Sequence, residues 1–160
     1  MISQGGQEHA QASGVCLLAR VGSRICAFPV EHVSETMRPL PIEPLAGMPV
    51  FVLGVTVVRG TPMPVIDVAR MLGATDPPCP GKFVSLRVGA RGAVVAIDAV
   101  LGVRSLSCDS LGAVPPLFAG ENAEVIETMG RLDSALLLIL RSGRLVPNAV
   151  WAAMRAQESS

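Results

Sequence analysis

At 160 residues the chain suits one domain, or two small lobes sharing a core, because a chain of this size buries about two thirds of the surface it exposes when unfolded. Half of its residues are hydrophobic but only 3% are aromatic, which favours a core of short β-branched strands over a stacked aromatic site. Thirteen Lys and Arg cancel thirteen Asp and Glu without any basic run, which excludes the electrostatic footprint of a nucleic-acid binder.

Residues 1–14 are polar and rich in Gln and Gly, and read as a mobile tail without the cationic-then-apolar pattern of a secretory leader. The longest apolar run, residues 48–58, has eleven residues, well short of the ~20 needed to cross a bilayer. No membrane insertion is expected, and the chain reads as cytoplasmic. The ordered domain is expected over residues 15–155, with 156–160 as a second tail.

The first strand is residues 15–21, where Val15, Leu17, Ala19 and Val21 alternate with their neighbours as a half-buried strand requires. A glycine turn leads to "ICAFPV" and completes a hairpin. Residues 52–58 and 63–66 flank Arg59, Gly60 and Thr61 as another hairpin, after which Asp67 caps a short helix over 68–72 closed by Gly73. The segment "ATDPPCPGK", residues 74–82, cannot continue a helix or a strand and divides the chain. Beyond it, "FVSLRV" and "GAVVAI" form another hairpin, "ALLLIL" at 135–140 is a fully buried strand, and "NAVWAAMRAQ" is a terminal helix with Trp151 packed inward.

The two parts resemble each other. At an offset of 67, Val21, Gly22, Arg24 and Val33 fall on Val88, Gly89, Arg91 and Val100, with Glu31 on Asp98. At an offset of 74, residues 51–72 fall on 125–146, where the apolar pattern persists and Arg70 meets Arg144. The pattern implies an internal duplication into two small antiparallel barrels, with lobes at about 15–73 and 83–150 that leave room for strand exchange.

Chemistry is sparse. No phosphate loop, dinucleotide fingerprint or zinc-protease motif occurs, and the histidines are His9 in the tail and His32. His32 reads as solvated, with Glu31 beside it pointing to the opposite face of a strand. Ser105, Ser107, Cys108 and Asp109 lack the base that an activated nucleophile needs. The carboxylates of "AGENAEVIE" read as an acidic loop entering a strand. Cys16, Cys26, Cys79 and Cys108 have no metal-ligand spacing and read as buried hydrophobes with one loop thiol, Cys79. No enzyme activity, metal or cofactor is expected.

The stretch "GVTVVRGTPMPVID" resembles the hairpin signature of the CheW-like domain family, the chemotaxis coupling proteins, through Gly54, Val55, Arg59, Gly60, Pro64, Val65, Ile66 and Asp67. "ICAFPVEHVSETMRPLP" and "VGARGAVVAIDAVLGV" are similar to further family segments, and the likeness covers residues 15 to about 150. It implies an all-β fold of two five-stranded SH3-like barrels around a shared core. It also implies a non-catalytic scaffold that joins chemoreceptor cytoplasmic tips to the regulatory domain of a CheA-type histidine kinase.

In that family a groove between the barrels receives a receptor helix, beside a glutamate and arginine pair that match Glu35 and Arg59, with Val33 and Gly54 at neighbouring positions. Gly60 permits the positive φ of a tight turn, which lets Arg59 lie back toward Glu35, partly screened from solvent. Val57, Pro62 and Arg141 depart from the family pattern and bear on partner choice. Pro62 has no N–H to give a ladder and must sit at an edge or a bulge. Two other readings stand beside this one: a CheW-like adaptor serving pili, surface sensing or second-messenger output, and a small-ligand-binding barrel that would need convergent polar groups in the groove.

Overall fold

The computed structural model describes residues 14–75, 79–106, 111–112, 125–132 and 135–159. Strands β1 (Gly14–Val21) and β2 (Arg24–Pro29) form a hairpin in which Val21 faces Arg24 across a turn with Gly22 at φ 63°. Strands β6 (Lys82–Val88) and β7 (Arg91–Ile97) repeat it, with Val88 facing Arg91 and Gly89 also at 63°. Between them lie β3 (Val33–Met37), β4 (Val52–Val58) and β5 (Thr61–Asp67), and after them β8 (Ala99–Leu106), β9 (Leu111–Gly112), β10 (Ile126–Leu132) and β11 (Ala135–Leu140).

The strands make two sheets, β8-β1-β2-β11-β10-β9 and β3-β6-β7-β5-β4. Each sheet draws strands from both sides of the proline-rich connector: the β1–β2 hairpin joins late strands, and the β6–β7 hairpin joins early ones. The all-β fold in two lobes around a shared core is as expected, and the lobes are built on open sheets of six and five strands: among the described residues no ladder joins the outermost strands.

Both sheets are buried on two faces. One large core lies between them, with Leu17, Phe28 and Leu138 from the six-stranded sheet meeting Val84, Leu86 and Val95 from the other. The opposite faces form smaller interiors of their own: Cys16, Leu18, Ala27 and Ile139 in one sheet, and Val65, Phe83, Val94 and Ala96 in the other. Simple alternation in the sequence marks the shared face and understates the second. Cys16 and Cys26 are buried as expected and Cys79 is exposed, while Cys108 lies outside the described residues. Burial raises both inner thiols, pushing Cys26 up to about 12.

The duplication extends to register. Val33 pairs with Leu86 as Val100 pairs with Ala19, and Val65 with Val94 as Ile139 with Ala27. Bulges coincide too, at residues 33–35 against 18–19, and at 52–54 against 126–128.

One twin pair differs for a stated chemical reason. Asp67 accepts from the Ala69 and Arg70 amides at 3.1 and 3.4 Å and caps helix α1 (Val68–Met71). Its twin Arg141 has no acceptor to offer, and Ser142–Arg144 forms a 3₁₀ turn without a side-chain cap. The final helix, α2 (Asn148–Ser159), runs past residue 155, where the sequence reading ends the ordered region. Residues 1–13, the connector tip at 76–78, Ser107, Cys108 and Asp109 of the serine and cysteine cluster, and residues 119–124 of the acidic loop lie outside the described residues. No helix among the described residues is long and apolar enough to cross a membrane.

Candidate functional site

The β4–β5 hairpin turns through Arg59 at φ 51° and Gly60 at 83°, the two positive values of a type I′ turn. Gly60 is therefore required as the sequence suggests. Arg59 itself also occupies the left-handed region, which an L residue with a long side chain enters only under strain.

Its side chain lies back along the lobe. Arg59 Nε donates to both Glu35 carboxylate oxygens, at 2.6 and 3.3 Å. Glu35 stands on β3 and Arg59 at the end of β4, the two outermost strands of the five-stranded sheet. The ion pair thus clasps two edges that no backbone ladder joins. Glu35 strengthens the proton's hold on the guanidinium through the hydrogen bond and its charge, raising it above the ordinary arginine value. The expected partial screening from solvent holds for Glu35, 31% exposed, and fails for Arg59, 81% exposed. The clasp sets position more than stability.

Two features that the sequence did not flag hold Glu35 and the hairpin. The β3 bulge brings the Glu35 N–H to the buried Ser85 hydroxyl at 3.2 Å, and that hydroxyl lies 3.4 Å from the Glu35 carbonyl. The segment after β3 then crosses over β4: Glu43 and Val55 exchange two backbone hydrogen bonds of 2.8 Å, and Thr56 Oγ1 donates to the Pro41 carbonyl at 2.7 Å. A polar residue inside "FVSLRV" is the only sequence signal for Ser85. Nothing in the pattern announces that Glu43 pairs with Val55.

Gly54 acquires its reason here. At φ 141° and with the strap directly above it, a Cβ would overlap the Glu43 carbonyl oxygen and sit 2.9 Å from Ile42 Cγ2. Val33 packs half-buried on the edge of the shared core, opposite Leu86. Pro62 lies within β5, beyond the stretch that pairs with β7, which begins at Val65; its missing N–H interrupts no ladder there.

A second concave region lies at the end of the six-stranded sheet, beside the 3₁₀ turns Val30–His32 and Ser142–Arg144. A cavity of 380 Å³ is lined by Pro29, Glu31, His32, Glu127, Arg141 and Ser142, among others. His32 is half-buried in the 3₁₀ turn Val30–His32, and its Nδ1 is 3.2 Å from Ser142 Oγ; this corrects the reading of a solvated strand histidine. Ser142 is buried, and among the described residues no carboxylate is hydrogen-bonded to the imidazole. The contact ties two 3₁₀ turns together, and among the described residues no third side chain is hydrogen-bonded to the imidazole to orient it as a base. No group of three or more His, Cys, Asp or Glu side chains able to hold a metal occurs among the described residues.

The CheW-like domain model matches residues 15–150. The chain belongs to the CheW-like family. CheW-like proteins are the coupling and scaffold proteins of chemotaxis-type signalling. The chain is 33% identical over 127 residues to Protein FrzA of Myxococcus xanthus, spanning 74% of this chain and 78% of that protein. In fold it is similar to the scaffolding protein TtCheW from Thermoanaerobacter tengcongensis, with a TM-score of 0.69 at 18% identity over 81% of this chain and 89% of the other.

Proposed function

We propose that this CheW-like chain is a non-catalytic, cytoplasmic adaptor coupling chemoreceptor cytoplasmic tips to the regulatory domain of a CheA-type histidine kinase. The observation that carries the reading is the Glu35–Arg59 clasp, an exposed charge pair built at the expense of a strained turn and positioned by the buried Ser85. A surface pair contributes little to folding. Its cost in backbone strain therefore speaks for recognition. Val33 and Gly54 shape the floor and strap beside it, and a receptor helix docks by apolar contacts with the clasp fixing its register.

The test is capture of a purified receptor signalling tip and a purified kinase regulatory domain by the full chain. Wild type retains both. Glu35→Ala and Arg59→Ala each weaken receptor capture about tenfold while leaving kinase-domain capture in place. Capture of neither protein overturns the adaptor reading, and undiminished receptor capture by both variants overturns only the site.

A further inference from the structure

We infer that the cavity beside the two 3₁₀ turns is a binding site for a basic α-amino acid, held by its two ammonium groups on Glu31 and Glu127 and by its carboxylate on Arg141. Its volume, 380 Å³, lies in the range of small-molecule sites, about 300–1,000 Å³. The fold sets its floor: Leu140 ends β11 inside the shared core, and His32 Nδ1, 3.2 Å from the buried Ser142 Oγ, holds the two turns together. Apart from the imidazole, the ionisable groups lining it are two carboxylates and one guanidinium. Among the described residues, none of these three side chains has an ion-pair partner. Opposite charges thus line one cavity without joining each other.

The internal duplication shows that the fold does not need these groups. Under the offsets of 67 and 74, His32 falls on Ala99, Glu127 on Leu53, Ser142 on Val68 and Arg141 on Asp67. In the other lobe Val68 is fully buried in the shared core, Leu53 packs against a smaller interior, and Asp67 caps α1. Glu31 falls on Asp98, whose carboxylate accepts from the Gly22 N–H at 2.8 Å. Packing and backbone contacts therefore absorb these counterparts, whereas the same positions here turn polar groups onto a cavity. Glu127 is half-buried, which costs desolvation that no described partner offsets, and its charge reaches the Cys16 thiol and adds to the burial that raises it. An ammonium group on the carboxylate supplies the missing offset. Two carboxylates against one guanidinium select two positive groups and one negative group, the charge pattern of lysine or ornithine. A metal ion is a poorer occupant, since among the described residues no three His, Cys, Asp or Glu side chains converge to hold one.

The probe is L-lysine, titrated into the full chain at constant ionic strength while amide NMR shifts are followed. Saturable shifts at Glu31, His32 and Gly143 are expected. Cadaverine, which keeps both ammonium groups and lacks the carboxylate, binds about tenfold more weakly. Glu127→Gln, which keeps the shape and removes the charge, weakens L-lysine binding about tenfold at an unchanged melting midpoint. Arg141→Gln removes the preference for L-lysine over cadaverine. Absence of saturable shifts overturns the proposal, as do shifts reproduced by sodium chloride, which report an adventitious ion only, and undiminished binding by Glu127→Gln. Cadaverine bound as tightly as L-lysine also overturns it, since Arg141 then holds no carboxylate; this comparison uses the wild-type chain and serves if a substitution perturbs folding. The cavity shares no residue with the Glu35–Arg59 clasp, so none of these outcomes bears on the coupling reading.

Discussion

The two sheets share pairing, bulges and hairpin turns, yet only the five-stranded one carries the clasp. Glu35 corresponds to Gly102 in the other sheet, Arg59 to Asp133, Ser85 to Leu18 and Gly54 to Thr128. A glycine and an aspartate cannot form an ion pair, and a leucine cannot hold a bulge amide. The backbone plan is therefore general to both lobes, set by apolar pattern and turn glycines, whereas the charged and polar device is specific to one. What repeats is fold; what fails to repeat marks the candidate site.

The comparison breaks most severely at Gly54. Gly54→Ala places a methyl group on the Glu43 carbonyl and demands a left-handed backbone of alanine. Overpacking and strain together predict a loss of about 3 kcal/mol, read by denaturant unfolding, with the strap hydrogen bonds lost from amide exchange protection.

A smaller effect separates the twin helix starts. Asp67→Ala removes the α1 cap and costs about 1 kcal/mol, whereas Asp67→Asn keeps an acceptor and costs less. Burial, reinforced by the Asp98 charge, raises the Asp67 carboxyl above its ordinary value against the pull of its amide hydrogen bonds and of Arg70. With the folded pKa above the unfolded one, the native state holds a proton that the unfolded chain has already released. Stability therefore falls as pH rises through the window just above the ordinary aspartate value. Urea midpoints measured across that window should flatten in Asp67→Asn, and an unchanged slope would discard this account.

Ser85→Ala makes the β3 bulge more like its apolar twin and removes the hydroxyl from the Glu35 backbone. The expected loss is at most about 1 kcal/mol, with the Glu35 amide exchanging faster and receptor capture weakened more than stability. Equal effects on folding and capture would make Ser85 purely structural.

These differences also explain what was legible in the sequence. Glycine turns, alternation in β1 and β6, the Asp67 cap and the repeat offsets follow from local rules, and the Arg59–Gly60 hairpin is legible for the same reason. Local rules are silent on which outermost strands approach each other, so the open sheets, the Glu43–Val55 bridge and the Ser142–His32 contact, 110 residues apart, had no signal. Glu35 and Arg59 came together through family resemblance, because no spacing rule connects residues on opposite edges of a sheet. Solvent screening of the arginine was expected from its lie-back, but a turn tip keeps its side chain wet.

The subtlest change asks why an arginine occupies the turn at all. A type I′ turn prefers Asn before Gly, because asparagine tolerates the left-handed region and a long side chain gains nothing there. Arg59→Asn should therefore leave the melting midpoint unchanged or slightly raised, since it relieves strain and removes only an exposed pair. Receptor capture should nevertheless fall about tenfold, in line with loss of an arginine anchor at an interface. A lowered melting midpoint would show that the clasp holds the sheet edges together for folding, and capture at the wild-type level would reduce Arg59 to a solvated hairpin tip. Higher stability with lower capture is the signature of a residue retained for recognition against the preference of its own backbone.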